Sequence, residues 1–215
     1  MRSKTAEMIL NQITARATPY VITYGRFRIR VSQEVYPPNE DSFFLADYLR
    51  NGNFGVSKGE MVFDYGAGSG ILSLVSADCG GKVVGVDINP YAVDCARDNV
   101  RRHGLIEKVE IRQGGLEALH NQEKFNLVAA NLPFEDAAPR NILEYSVYDP
   151  RFKMRRDLFS NMEGLLAPAG RVLFTYSARV QEIAPIERLS TGFKTRVIDK
   201  RRIDNDLYFI YLITR

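Results

Sequence analysis

Apolar positions along the chain change period several times, and each change marks an element. From Lys4 to Ala15, Ala6, Ile9, Leu10 and Ile13 fall at helical spacing, which predicts an N-terminal helix. From Tyr20 to Val31 the period drops to two. Phe27, Ile29 and Val31 alternate with arginines, so a hairpin turning around Gly25 with one solvated face is expected. Pro37-Pro38 breaks that strand. Asn39 or Glu40 can cap a helix from Asp41 to Leu49, ended by Asn51-Gly52.

Beyond residue 60 short apolar strands alternate with helical stretches. Strands are expected at Met61–Tyr65, Lys82–Asp87, Val109–Arg112, Phe125–Ala130 and Arg171–Tyr176. Helices are expected from Ile71 to Asp78, from Pro90 to about His103, and from Arg155 to Leu166, the last stopped by Pro168-Ala-Gly170. Gln181 to Leu189 reads as a helix despite Pro185. Thr195–Ile203 and Leu207–Ile213 are two final strands joined by Asp204-Asn-Asp.

This alternation predicts an α/β fold: a doubly wound, mostly parallel seven-stranded sheet covered by helices on both faces. The last two strands are too close for a helical crossover and should pair antiparallel as a C-terminal hairpin. Residues 1–35 read as an extension of helix and hairpin, and 36–215 as the main domain. Ligands of such sheets sit beyond the carboxyl ends of the strands.

Composition narrows the class. At 215 residues, 45% hydrophobic and 26% charged, the chain is one globular domain of ordinary size. No apolar run approaches the ~18–20 residues of a membrane span, and no secretory signal is expected at the start. Two cysteines, Cys79 and Cys95, and two histidines, His103 and His120, are too few for a disulfide framework or a four-ligand zinc site. No metal is expected, and a cytoplasmic location is. The net charge of +3 is small. The basic clusters Arg26/Arg28/Arg30, Lys200-Arg201-Arg202 and Arg151/Lys153/Arg155/Arg156 fit either a solvated surface or a phosphate-tracking face.

The candidate chemistry lies at three strand ends. Asp64-Tyr-Gly66-Ala-Gly68-Ser-Gly70 follows the first strand of the sheet and opens a helix. Its glycines allow positive φ and close approach of a ligand to backbone. The third glycine of a dinucleotide fingerprint is absent, because Ile71 stands in its place. Asp64 adds a carboxylate that suits a cation better than a pyrophosphate. Asp87 ends the next strand about 20 residues after the loop, where a carboxylate can accept both ribose hydroxyls or simply cap a helix. Asn131-Leu-Pro133-Phe134 closes the fourth strand. The Asn carbonyl and neighbouring backbone C=O groups can hold the two N–H groups of a planar –NH₂, and Phe134 offers a face to a planar group or a developing positive charge.

Asp64 to Gly70, Asp87 and Asn131 to Phe134 resemble class I S-adenosylmethionine-dependent methyltransferases, over roughly Tyr36 to the C-terminus. Asn131-Leu-Pro-Phe resembles the Asn-Pro-Pro-Tyr signature of enzymes that methylate nitrogen conjugated to a planar system. Val35-Tyr-Pro-Pro-Asn-Glu40-Asp41-Ser42-Phe-Phe-Leu is similar to the stretch preceding the sheet in HemK/PrmC-like glutamine methyltransferases. The resemblance implies a Rossmann-like methyltransferase fold and S-adenosylmethionine as cofactor. Asp64, Gly66, Gly68, Gly70, Asp87 and Ile88 would hold it, with Pro38 and Asp41 closing over its methionine end. Gly114-Gly115-Leu116 stands where many relatives have an acidic residue contacting adenine, so the Gly115 or Leu116 backbone N–H is expected there.

Asn131, Pro133 and Phe134 would then orient a nitrogen for in-line displacement at the methyl. No general base is evident, and the proton is expected to leave to water after transfer. The acceptor is an amide, guanidine or amine of a protein side chain or small metabolite. Leu132 replaces the first proline, and Asn-Leu-Pro-aromatic also resembles the adenine dimethylating enzymes of ribosomal RNA. An exocyclic base amine of RNA is therefore the alternative, and an inactive cofactor-binding scaffold a third reading. Glu135 and Asp136 fit either a cationic substrate or a plain surface. Tyr145, Tyr148 and Asp149, in the segment from Ala137 to Arg151, fit either specificity or packing.

Overall fold

The computed structural model describes residues 3–17, 19–50, 53–183 and 185–215. In chain order the elements are α1 (Lys4–Ala15), β1 (Tyr20–Tyr24), β2 (Phe27–Val31), α2 (Glu40–Arg50), β3 (Met61–Tyr65), α3 (Ile71–Asp78), β4 (Lys82–Asp87), α4 (Pro90–Arg102), β5 (Val109–Gln113) and β6 (Phe125–Ala130). They continue with α5 (Lys153–Leu165), β7 (Leu166–Ser177), α6 (Ala178–Ile183), α7 (Ile186–Leu189), β8 (Lys194–Ile203) and β9 (Asp206–Thr214). The expected helix stop at Asn51-Gly52 lies outside the described residues.

Seven strands pair in the order β5-β4-β3-β6-β7-β9-β8. β3 to β7 run parallel, and β9 is antiparallel to both β7 and β8. The expected sheet and its C-terminal hairpin are therefore present. The order reverses between β3 and β6, so the carboxyl ends of these two strands flank the crevice in which doubly wound sheets bind ligands.

Successive side chains of a strand point to opposite faces, and the two faces bury separate cores. Val62, Leu127 and Leu173 pack with α2, α3 and α4 on one side. Phe63, Val128 and Phe174 pack with Leu158, Phe159 and Met162 of α5 on the other. β1 and β2 form their own two-stranded sheet, turning at Gly25 with φ 53°. Phe27, Ile29 and Val31 of β2 are wholly buried in the same core as α2–α4. α1 packs Ala6 and Leu10 against Leu143, Val147 and Tyr148. The outer edge strand β8 exposes Lys194, Arg196, Lys200 and Arg202, charges that discourage pairing with another chain.

Two expectations are corrected. Pro168-Ala-Gly170 does not separate helix from strand. α5 ends at Leu165 and β7 begins at once, with a register shift opposite Phe125 and Leu127. Gly170 permits this because a Cβ there would lie 2.8 Å from two carbonyl oxygens, those of Ala167 and Phe125. The helix expected from Gln181 to Leu189 is two helices. Pro185 lacks an N–H and cannot continue a helical hydrogen-bond ladder, so α6 ends at Ile183 and α7 starts at Ile186.

Gly85 sits where β4 passes beneath α3. A methyl there would fall 2.7 Å from Ile111 Cδ1 and 3.0 Å from Ser73 Oγ. Gly85→Ala is expected to lower stability by about 1–3 kcal/mol, the usual cost of overpacking. Denaturant unfolding measures it, and an unchanged midpoint would show that this layer has room.

Candidate active site

The loop after β3 turns three times through left-handed backbone, at Gly66 (φ 83°), Gly68 (φ 55°) and Gly70 (φ 87°). Side chains other than Gly rarely adopt this conformation, which explains the glycine at every second position. The loop is pinned to the next strand. Gly66 and Ala67 N–H groups both donate to the Val86 carbonyl, at 3.0 and 2.9 Å. Gly68 N–H donates to Asp87 Oδ2 at 2.8 Å, and Asn89 N–H donates to Asp87 Oδ1 at 2.9 Å. Asp87 thus grips both the glycine loop and the start of α4. Burial raises its carboxyl above the usual range, opposed by these two hydrogen bonds.

Asp64 lies beneath the loop and not in the cavity described below. It is wholly buried and accepts a hydrogen bond from Ser73 Oγ at 2.5 Å, while Oδ1 accepts none from the described residues. Burial pushes its carboxyl up to about 6, against the lowering hydrogen bond from Ser73, with a small further push from the Asp87 charge.

A cavity of about 680 Å³ opens at the carboxyl ends of β3, β4 and β6. Ligand sites commonly occupy about 300–1,000 Å³. Gly66 and Gly68 form its floor, Asp87 and Ile88 one wall, and Pro38 and Asp41 another. Asn131, Pro133 and Phe134 also line it. The structure therefore gathers nine of the expected positions around one space. It leaves out Asp64, Gly70, Gly115 and Leu116, and Gly114 lines the cavity instead. Gly115 N–H donates to Glu117 Oε1 at 2.7 Å, so it is already engaged, and Leu116 packs against the second core. Gly70 faces α4, where a Cβ would meet Ala96 at 3.1 Å.

Asn131 ends β6 with its amide held in one orientation. Nδ2 donates to Ser42 Oγ at 3.2 Å, and Ser42 Oγ donates to Asp41 Oδ1 at 3.2 Å. The Asn131 Oδ1 is buried and receives no hydrogen bond among the described residues. A buried polar atom without a hydrogen-bond partner carries a desolvation cost, and native chains keep few of them. Burial raises the Asp41 carboxyl, with hydrogen bonds from Asn131 and Ser42 opposing. Phe134 meets the edge of Tyr208 at 5.6 Å and 79°. Tyr36 and Tyr208 line the same end, and burial together with the Asp41 charge lifts both phenols above their ordinary range.

Several contributors had no motif to announce them. Tyr208 lies in the plain alternation of β9, and Ala6, Met8 and Ile9 reach the cavity from α1. Arg155 carried a signal that charge counting obscured. It is in helical phase with Leu158, Phe159 and Met162, and it is wholly buried, so it leaves the expected surface cluster. Glu135 pairs with Arg179 at 3.2 Å and accepts from Ser3 Oγ at 2.9 Å. Tyr145 lines the cavity, whereas Tyr148 and Asp149 are buried. Among the described residues no cluster of His, Cys, Asp and Glu could hold a metal ion, and no helix is long and apolar enough to cross a membrane.

The family described as ribosomal protein L11 methyltransferase (PrmA) matches residues 47–134. The ribosomal protein L11 methyltransferase of Alkaliphilus oremlandii is 46% identical over 78 residues, which are 36% of this chain and 25% of that protein. The chain thus spans about a quarter of the length of that relative. A putative protein N5-glutamine methyltransferase of Methanocaldococcus jannaschii is 28% identical over 193 residues, covering 85% of this chain and 93% of the relative. Among solved structures, the tRNA m1G37 methyltransferase of the same archaeon superposes with a TM-score of 0.66 at 18% identity, over 91% of this chain and 54% of that one. The ribosomal protein L11 methylase of Lactobacillus delbrueckii superposes at 0.60 and 21%, over 85% and 83%. In fold and in these stretches of sequence the chain is similar to class I S-adenosylmethionine-dependent methyltransferases.

Asp64 generates a prediction on stability. Its carboxyl titrates near 6 in the folded chain against 3.8 for the free group. The folded state binds the proton more tightly, so this contribution is full at low pH and is lost as pH rises through both values. Asp64→Asn keeps an acceptor for Ser73 and removes the charge. Relative to wild type it should gain melting temperature between about pH 4 and pH 8. A constant difference across that range would count against the burial argument.

Proposed function

We propose that this chain is an N-methyltransferase of the HemK/PrmC-like branch, acting on a planar nitrogen of a protein side chain or small metabolite. The observation that carries the reading is the Asn131 amide: Nδ2 is tied to Ser42, and Oδ1 is buried, cavity-lining and without a donor. A substrate –NH₂ supplies the missing donor. The near full-length likeness to a putative protein N5-glutamine methyltransferase supports an amide acceptor in a protein. The likeness to tRNA enzymes, at 18% identity, is a likeness of fold.

The residues fit the cofactor on their own geometry. Each Asp87 oxygen accepts one backbone N–H and retains lone-pair capacity for a ribose hydroxyl. The glycine floor lets a ligand approach the backbone closely. Asp41 offers a buried carboxylate at the end where the resemblance places the cofactor's methionine portion, and Ile88 lines the cavity as an apolar residue. When bound, the cofactor supplies a methyl already activated by the sulfonium charge.

The protein's task is then orientation. Asn131 Oδ1 accepts one N–H of the acceptor, and a neighbouring backbone carbonyl accepts the other. Holding both aims the nitrogen lone pair outward and favours pyramidal geometry over the flat amide ground state, which is the differential binding that catalysis requires. Phe134 covers the planar group. Such positioning can supply about 7–11 kcal/mol of a barrier.

Two measurements test this. Asp87→Ala should weaken S-adenosylhomocysteine binding by roughly 1.5–3 kcal/mol in calorimetry, the range for a charged hydrogen bond. Unchanged affinity removes Asp87 from the site. Asn131→Ala should lower turnover by about 10²–10³, as the loss of one transition-state hydrogen-bond partner does, while cofactor affinity stays near normal. The acceptor is first found by incubating extract with methyl-labelled cofactor. Full turnover in a folded Asn131→Ala enzyme would sink the assignment.

A further inference from the structure

Among the described residues Arg155 is the largest wholly buried side chain, and its guanidinium lies directly behind the Asn131–Phe134 turn. Nη2 donates to the Pro133 carbonyl and, at 3.4 Å, to the Leu132 carbonyl. Nη1 donates to Asp149 Oδ2 at 3.2 Å, an ion pair with both partners almost fully enclosed. The rings of Phe152, Tyr176 and Phe134 surround the group at 5.0, 5.4 and 5.7 Å.

Such a pair is a poor choice for stability alone, because well-packed apolar residues of similar volume often serve as well or better. Its neighbourhood is built around it all the same. Asp149 caps α5 by accepting from Met154 N–H at 2.9 Å, and its own N–H donates to the Glu135 carbonyl at 2.8 Å. One residue therefore ties the start of α5 to the residue that follows the motif. The chain enters α5 through two consecutive left-handed non-glycine residues, Arg151 (φ 52°) and Phe152 (φ 53°). Backbone of this kind persists only where the surroundings enforce it. Here it brings the Phe152 ring against the guanidinium.

We propose that Arg155, held by Asp149, is the positioning residue for the acceptor turn: by gripping the Leu132 and Pro133 carbonyls it sets the peptide planes between Asn131 and Phe134. This rests on the reading of Asn131 as the nitrogen-orienting group. Asn131 Oδ1 and the Phe134 ring touch the substrate, and Arg155 acts through them. Two carbonyls, a carboxylate and three rings call for a planar fork of donors with a stackable face, which Arg has and Lys lacks.

The test is Arg155→Lys, which keeps the charge and loses the fork, with Asp149→Asn as a second variant that leaves the guanidinium in place. Three quantities are measured on the full chain: S-adenosylhomocysteine affinity, kcat and KM for the acceptor found by labelling, and hydrogen exchange of residues 131–136. In Arg155→Lys, kcat should fall at least about tenfold, since a misplacement near 1 Å can cost 10²-fold. Cofactor affinity should stay within about twofold of wild type, and exchange in 131–136 should accelerate. Asp149→Asn should show the same pattern more weakly. Wild-type kcat, or unchanged exchange in 131–136, in a folded Arg155→Lys protein overturns the proposal. So does loss of cofactor affinity in step with kcat in both variants, which a merely structural pair would produce. A wild-type protein that methylates no nitrogen acceptor would defeat the functional reading instead, and the exchange measurement would still decide whether Arg155 holds the turn.

Discussion

Two backbone N–H groups, from Gly68 and Asn89, converge on the carboxylate of Asp87. They belong to the segments leaving two neighbouring parallel strands, β3 and β4. Both segments turn sharply into helices, and the Gly68 and Asn89 N–H groups lie ahead of the first helical turn, outside its hydrogen-bond ladder. A single strand-ending carboxylate satisfies one from each and holds the two turns together. The left-handed glycines follow from this constraint, because only a tight loop brings Gly68 back over the end of β4. The floor of the cavity is the surface of that clamp.

The opposite wall depends on a second tie, between α2 and the end of β6. Asn131 reaches Ser42, and Ser42 reaches Asp41, so the segment preceding the sheet and the Asn131–Phe134 turn share one hydrogen-bonded chain. A side-chain amide offers both a donor and an acceptor. Spending the donor on Ser42 leaves the carbonyl oxygen as the free end. From below, Arg155, itself held by Asp149, grips the backbone of the same turn. The motif is thus held on both sides by charged or polar groups that lie far from it in sequence.

The extent of the family match follows this division. It ends at Phe134, where the Asn131–Phe134 turn ends. The glycine loop, the Asp87 clamp and the motif fall inside it. Arg155, Tyr208 and the α1 residues at the cavity mouth fall outside. Cofactor chemistry asks for the same contacts whatever the acceptor, whereas the acceptor side must differ with the molecule methylated. Under the proposed function, this asymmetry assigns specificity to the region after residue 134.

The amino-acid pattern by itself determined the strands of the sheet, the alternation that makes it parallel, and the glycine loop with Asp87 and Asn131 at the strand ends. These are local properties, set by side-chain period and by the backbone freedom of glycine, and they read directly from consecutive residues. Pro185 was legible as a break and was underestimated, since the apolar spacing on either side of it still looked helical. The tertiary structure decided what depends on distant partners. Gly115 looked available to a ligand until Glu117 folded back onto its N–H, and Asp64 looked like a cavity residue until α3 packed Ser73 over it. Arg155 looked like one of four surface cations until Asp149 and the Leu132 and Pro133 carbonyls enclosed it. Whether a charge lies in water or in the core depends on the groups that meet it, and those groups come together only when the chain folds.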